Sequence, residues 1–200
     1  LLELGEPGDA VVALDAALAE LPDPYQTLYG PLRERAWTLR ESESIAAESA
    51  AYLNDEALSF IGMTVLAQAE SSLLDFITAG RVREPLALYA ELLERELFLP
   101  DVPGPQGIAS RRDAAFLLWH LLLIEQGREE QLTRYSDRYA EREGATSPVP
   151  DVLISDPWFD AVLGLVEREL MELPDGMRFF PEEMINGLEF YDWLKATGEY

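Results

Sequence analysis

Apolar side chains recur along this chain at the three- and four-residue intervals of an amphipathic helix, and nowhere in the alternation of a half-buried strand. Leu1-Leu2-Glu3-Leu4 reads as the end of a helix closed by Gly5-Glu6-Pro7-Gly8. Asp9 can cap the next one, whose stripe Val11, Leu14, Leu18 and Leu21 ends at Pro22. After Pro24, a second helix carries Tyr25, Leu28, Leu32, Ala36 and Leu39 on one face, with Glu41-Ser42-Glu43-Ser44 as a candidate break before Leu53. A long helix is expected from a cap at Asn54 or Asp55 to Ala79. It would bury Leu58, Ile61, Val65, Leu66, Ala69, Leu73, Phe76 and Ile77 and end at a left-handed Gly80. Pro85 suits a first turn, and Leu86, Tyr89, Leu93 and Leu97 form the inner face that follows.

Residues 100–107 are a proline- and glycine-rich loop, and Ser110-Arg111-Arg112-Asp113 has the spacing of a capping box. The helix it opens is apolar nearly all round, which places it at the centre. Beyond Gly127 a polar helix with a thin stripe of Leu132, Tyr135 and Tyr139 belongs at the periphery. A second loop covers residues 144–152. A helix begins near Ser155-Asp156-Pro157 with Trp158, Phe159, Val162, Val166 and Leu170, and Pro174-Asp175-Gly176 is a turn. Pro181-Glu182-Glu183 opens a last helix with Met184, Leu188, Tyr191 and Leu194 inward. The expected fold class is all-α, an irregular bundle of about eight or nine helices in which solenoid-like stacking of hairpins stays open. Residues 1–200 form a single domain in this reading, with a loose boundary possible at the 99–109 loop; because Leu1 is not Met, residues before it are expected.

Residues 5–21, with Gly5-x-x-Gly8-Asp9-Ala10 and then Ala17-Leu18-x-x-Leu21, resemble one helix of a tetratricopeptide unit. The pattern does not return about 34 residues later, as an array of such units requires. Asn54-Asp55-Glu56-Ala57-Leu58-Ser59 resembles the metal motif of helical terpene synthases, but its serine is one position late and Met63 stands where an acid is needed, so that reading is rejected.

Charge changes the picture more than composition does. The hydrophobic share of 48% and charged share of 26% are those of an ordinary globular chain, whereas 15 basic against 38 acidic residues leave a net charge of −23. Residues 1–100 carry −12 and residues 101–200 carry −11, so the acidity is no tail. Such a field repels phosphate backbones and attracts a basic protein, so nucleic acid is not an expected partner. The longest apolar run, Ala114 to Ile124, is too short to span a bilayer, and no signal peptide is visible. Absence of cysteine excludes disulfides, thiolate metal sites and thiol nucleophiles and suits a cytoplasmic location.

The single histidine, His120, lies among large apolar residues and reads as a core side chain, neutral through burial. One histidine cannot build a poly-histidine zinc site, and no Glu-x-x-His or phosphate-loop motif occurs, so no cofactor or metal is expected. The pairs Glu91/Glu94 and Glu169/Glu172 have the spacing of a shared helix face but fall on its solvated side. The arginines at 33, 35 and 40, at 81 and 83, and at 111 and 112 are matched by nearby acids, which points to ion pairs along helices. Trp37, beside Arg35 and Arg40, is expected to pack on a neighbouring helix.

The reading favoured is a non-enzymatic protein-binding module for a basic partner, of which an acidic immunity protein or antitoxin is one concrete form. A tetratricopeptide-like scaffold that binds peptides is the alternative, and an enzyme with a carboxylate-lined pocket comes third. The partner surface is expected on the polar helix and the loop after it, with Tyr135, Asp137, Glu141, Glu143, Asp151 and Asp156 as candidate contacts.

Overall fold

The computed structural model describes the backbone of residues 7–200 and their side chains except Pro7, Asp23, Glu34, Arg35, Thr38, Leu39 and 41–48. The helix end expected at residues 1–4 and the roles expected for Arg35 and Leu39 lie outside what is described. The fold is all-α. Helices α1 (Pro7–Glu20), α2 (Asp23–Tyr52), α3 (Phe60–Glu70), α4 (Asp75–Thr78), α5 (Pro85–Glu94), α6 (Arg111–Glu125), α7 (Arg134–Ala140), α8 (Phe159–Glu167) and α9 (Gly187–Glu199) follow in order among the described residues, with a 3-10 turn at Glu129–Gln131.

Three central helices begin at one place. Residues 57–60, 107–111 and 183–187 lead into α3, α6 and α9, and their backbones satisfy one another, since the described residues form no sheet that could do so. The Leu58 N–H donates to the Ile185 carbonyl at 2.8 Å, Ile185 to Ala109 at 3.3 Å, and Ala109 to Leu58 at 2.8 Å, closing a ring. Leu58, Ala109 and Ile185 are fully buried beneath it. Each is followed by an N-cap: Ser59, whose hydroxyl accepts from Gly62, Ser110 in its capping box with Asp113, and Asn186, which accepts from the Glu189 N–H. The residue before each cap and the one four past it, Leu58 and Met63, Ala109 and Ala114, Ile185 and Phe190, are all buried, the disposition of a hydrophobic staple. A short pattern, apolar-apolar-cap, thus appears three times as Ala57-Leu58-Ser59, Ile108-Ala109-Ser110 and Met184-Ile185-Asn186.

A second repetition precedes two of these entries. Glu94-Arg95-Glu96-Leu97 ends α5 and Glu167-Arg168-Glu169-Leu170 ends α8. In both the second glutamate is left-handed, with φ of 58°. Leu97 donates to Leu92 and Leu170 to Leu165, each at 2.9 Å, so both helices close in the same Schellman turn. Leu-Pro-Asp then follows in both, at 99–101 and 173–175.

Several expected elements are corrected. The long helix from residue 54 to 79 is broken: Ser59 is the cap, α3 ends at Glu70, and the Ser71 hydroxyl donates back to Ala67 while accepting from the Leu73 N–H. Phe76 is consequently exposed. On α5 the buried face is Leu88, Tyr89 and Leu92, and Leu86 and Leu93 face solvent. The last helix starts at Gly187 and not at Pro181, because residues 183–186 are spent on the ring, and this leaves Met184 and Leu188 outside the core. No break occurs at residues 41–44; α2 runs unbroken.

Among the described residues apolar side chains form two clusters. The larger takes side chains from both sides of the 99–109 loop, with eight from α6. The smaller, in the α1–α2 hairpin, holds Ala10, Val11 and Ala36 among the described residues, with Leu14 and Trp37 beside them. There α1 meets the α2 face of Gln26 and Arg33, through Gln26 to the Leu18 carbonyl and Arg33 to Asp15. Tyr25, Leu28 and Leu32 sit on a different face of α2 and stay exposed, against expectation. Trp37 is half-buried under Arg33 and Arg40.

The hairpin joins the body at the end of α2. The Ser49 hydroxyl donates to Glu70 at 2.6 Å, and Lys195 donates to the Glu70 carbonyl from α9. At Gly187 an added Cβ would lie 1.9 Å from the Tyr52 carbonyl oxygen, so only glycine lets the two chains approach. Gly187→Ala is expected to cost at least about 1–3 kcal/mol in urea unfolding, the range for overpacking. An unchanged midpoint would show that the joint yields freely.

Candidate functional site

The connection from α7 to α8, which contains most of the expected partner contacts, is held from several sides. Buried Asp160 on α8 accepts from the N–H groups of Tyr135 and Ser136 at 2.6 and 3.1 Å and so caps α7. The Tyr135 hydroxyl donates to Glu167 and accepts from Arg168, whose guanidinium lies 4.8 Å over the Trp119 ring. At Gly164 a Cβ would meet that ring at 2.4 Å, so glycine lets α8 lie against α6. Within the connection Val149 and Val152 are buried anchors, Ser147 bonds to both backbone groups of Val149, and Asp156 accepts from the Leu153 N–H at 2.7 Å. Asp151 accepts from Phe179 and Phe180 at 3.0 and 2.7 Å, pinning the segment that leads to the ring.

This bracing leaves an open cleft of about 750 Å³, lined by Ala145, Thr146, Ser147, Pro150, Val152, Leu153, Ile154 and Ser155. Its walls are mainly apolar, and Leu153 is 60% exposed. No lysine or arginine lies between Arg142 and Arg168, while Glu143, Asp151, Asp156, Asp160 and Glu167 do.

Of the six expected contacts, Asp137, Glu141 and Glu143 are exposed, Asp137 being bonded to Thr133. Tyr135 is buried in its network, and Asp151 and Asp156 hold the loop through their carboxylates. Residues 128–143 carry four arginines against five acids, whereas the loop beyond them carries acids and no cation.

A larger charge network went unread in the sequence. Arg111 is 1% exposed, sandwiched between the Phe179 and Trp193 rings at 4.9 Å each. Its guanidinium donates to the Phe179 and Glu172 carbonyls and to the Glu189 carboxylate at 2.9 Å, with the Glu172 carboxylate at 3.4 Å. It pairs across the fold, not along its helix as expected. Glu172 lies beyond α8, so it shares no helix face with Glu169. Burial pushes the Glu172 carboxyl up, but the Trp193 indole N–H, its backbone and Arg111 outweigh this and leave it below the ordinary range. At Glu189 burial prevails over Arg111 and holds the carboxyl above that range.

His120 is half-buried, hydrogen-bonded through Nδ1 to the Phe116 carbonyl, and burial lowers its pKa. Among the described residues no cluster of three metal-ligating side chains occurs, and no helix is long and apolar enough to cross a membrane. Comparison with family models, curated proteins and solved structures gave no match.

Tyr135→Phe should lower stability by about 1–2 kcal/mol in urea unfolding, since Glu167 and Arg168 lose a buried partner; no loss would show the hydroxyl to be idle. In a carboxyl NMR titration from neutral pH downward, Glu189 should take its proton before Glu172. The raised group favours the folded state as pH falls below its folded pKa, whereas the stability from Glu172 is present above the ordinary glutamate value and is lost as pH falls through its lower folded one. The reverse order would contradict this partition of Arg111.

Proposed function

We propose that the chain is a non-enzymatic protein-binding module that seats an apolar side chain of a basic partner in the cleft of residues 145–155. The apolar, open cleft in a loop free of cations carries this reading. Its shape suits an anchoring side chain, and the net charge of −23 speeds the approach of a positive partner. An immunity protein or antitoxin that masks a basic toxin is one concrete form. The scaffold reading draws instead on Tyr25, Leu28 and Leu32, which α2 leaves uncovered.

The test uses fluorescence anisotropy with a short synthetic peptide, one leucine between lysines, and a control in which serine replaces the leucine. The leucine peptide should bind more tightly, weaken steeply with salt, and lose about tenfold in affinity on Leu153→Asp, the scale of one anchoring contact. The added aspartate raises the negative charge, so electrostatics alone would tighten binding and a loss reads the apolar contact. Equal binding of both peptides, or no effect of Leu153→Asp, sinks the proposal.

A further inference from the structure

The ring has a solvent side, and three large apolar residues beside it are exposed. Bridged pairs in an antiparallel ladder project to one side, so Ile108 lies beside Ser59, and Met184 beside Ser110. Ser110 is two positions from Ile108, which places Ile108 and Met184 diagonally across the bridge. They are 45% and 64% exposed, and Leu188 in the first turn of α9 is 58% exposed. The backbone beneath them is fixed by the ring and by three capped helix starts.

This pole is tied to the cleft. Asp151 holds the N–H groups of Phe179 and Phe180, and the carbonyls of Pro181 and Glu183 accept from the Arg112 and Arg111 N–H groups at 3.0 and 2.9 Å. From Phe180 to Met184 the chain reaches at most about 14 Å, between two and three turns of a helix. Arg112 also lies 4.6 Å over the ring of Trp158, where the cleft loop meets α8. The cations here are already neutralised, Arg112 by Asp101 and Glu182, and Arg178 by Asp175. Glu56 and Glu183 remain exposed, without an ion pair among the described residues.

We propose that the cleft and the Ile108–Met184 pole form one docking face for a single basic amphipathic helix of a partner protein, each seat taking an apolar residue from the same face of that helix. This rests on the protein-binding reading and extends it from one side chain to a helical segment. A helix returns apolar residues to one face every few residues, so one of about 18 residues, roughly 27 Å long, can offer an apolar residue to each seat. The acidic rim and the lack of free arginine at either seat match lysines or arginines on its flanks.

Anisotropy measured with two probes tests this: a leucine/lysine peptide of about 18 residues patterned as an amphipathic helix, and the short leucine peptide used for the cleft. Met184→Asp should weaken the long peptide by about tenfold, the scale of one buried anchor, and leave the short one unchanged. Leu153→Asp should weaken both, and the thermal midpoint checks that each variant is folded. If Met184→Asp leaves the long peptide unaffected while Leu153→Asp weakens both, the extended face is wrong and the cleft stands. If a scrambled long peptide of the same composition binds as tightly as the patterned one, attraction is by charge alone and the extended face is again overturned; the serine control then decides separately on the cleft.

Discussion

Buried backbone must find partners, and in a protein without a sheet the segments that enter a core are the hardest to satisfy. Here three of them solve the problem jointly, Leu58 to Ile185, Ile185 to Ala109, Ala109 to Leu58. The positions of α3, α6 and α9 depend on that closure, because each is capped one residue beyond it and starts two beyond. The caps contribute about 1 kcal/mol each, and the staples beneath fix the angle of entry. Arg111 then ties the same end of α6 to the 172–179 segment and to α9. Its guanidinium is desolvated, but two aromatic faces and four acceptors compensate, and removing it would strand Glu189 beside the core.

How much of this was legible beforehand varies with the range of the forces involved. The central place of residues 111–125 follows from apolar residues on all sides, a property of the local sequence, and the capping box at Ser110 is local too. The buried face of α5 was misassigned because Leu86, Leu88, Leu92 and Leu93 offer two stripes of nearly equal strength, and packing chooses between them. Met184 and Leu188 carry the period of a buried helix face, yet the ring claims residues 183–186 and swings them outward. A contact that closes over more than a hundred residues leaves no mark in a helical period. The threefold apolar-apolar-cap pattern and the doubled Glu-Arg-Glu-Leu were both present in the chain, but they are too short to stand out until the backbone aligns them.

The candidate site was half legible. Glycine, proline and small residues at 144–152 marked an irregular loop, and its lack of lysine and arginine is plain in the sequence. What each carboxylate does there is not. Asp151 and Asp156 are as acidic on paper as Glu143, but the backbone N–H groups of Phe179, Phe180 and Leu153 claim them. Tyr135 similarly belongs to the frame, since its hydroxyl reaches Glu167 and its backbone reaches Asp160. These residues shape the cleft and leave its lining mainly apolar.

The repeated entries also divide the chain by tolerance to change. From α5 to α6 a loop alone makes the connection, whereas between α6 and α8 the chain inserts a 3-10 turn, α7 and the cleft loop. None of the three bonds of the ring comes from that inserted stretch. Drift at its exposed positions, such as Thr146, Leu153 and Ser155, would leave the ring intact, while a one-residue slip in any entry segment would break the closure for all three. Val149, Asp151 and Val152 are held with the frame, so a lineage of such chains could reshape the cleft only through the exposed residues around them.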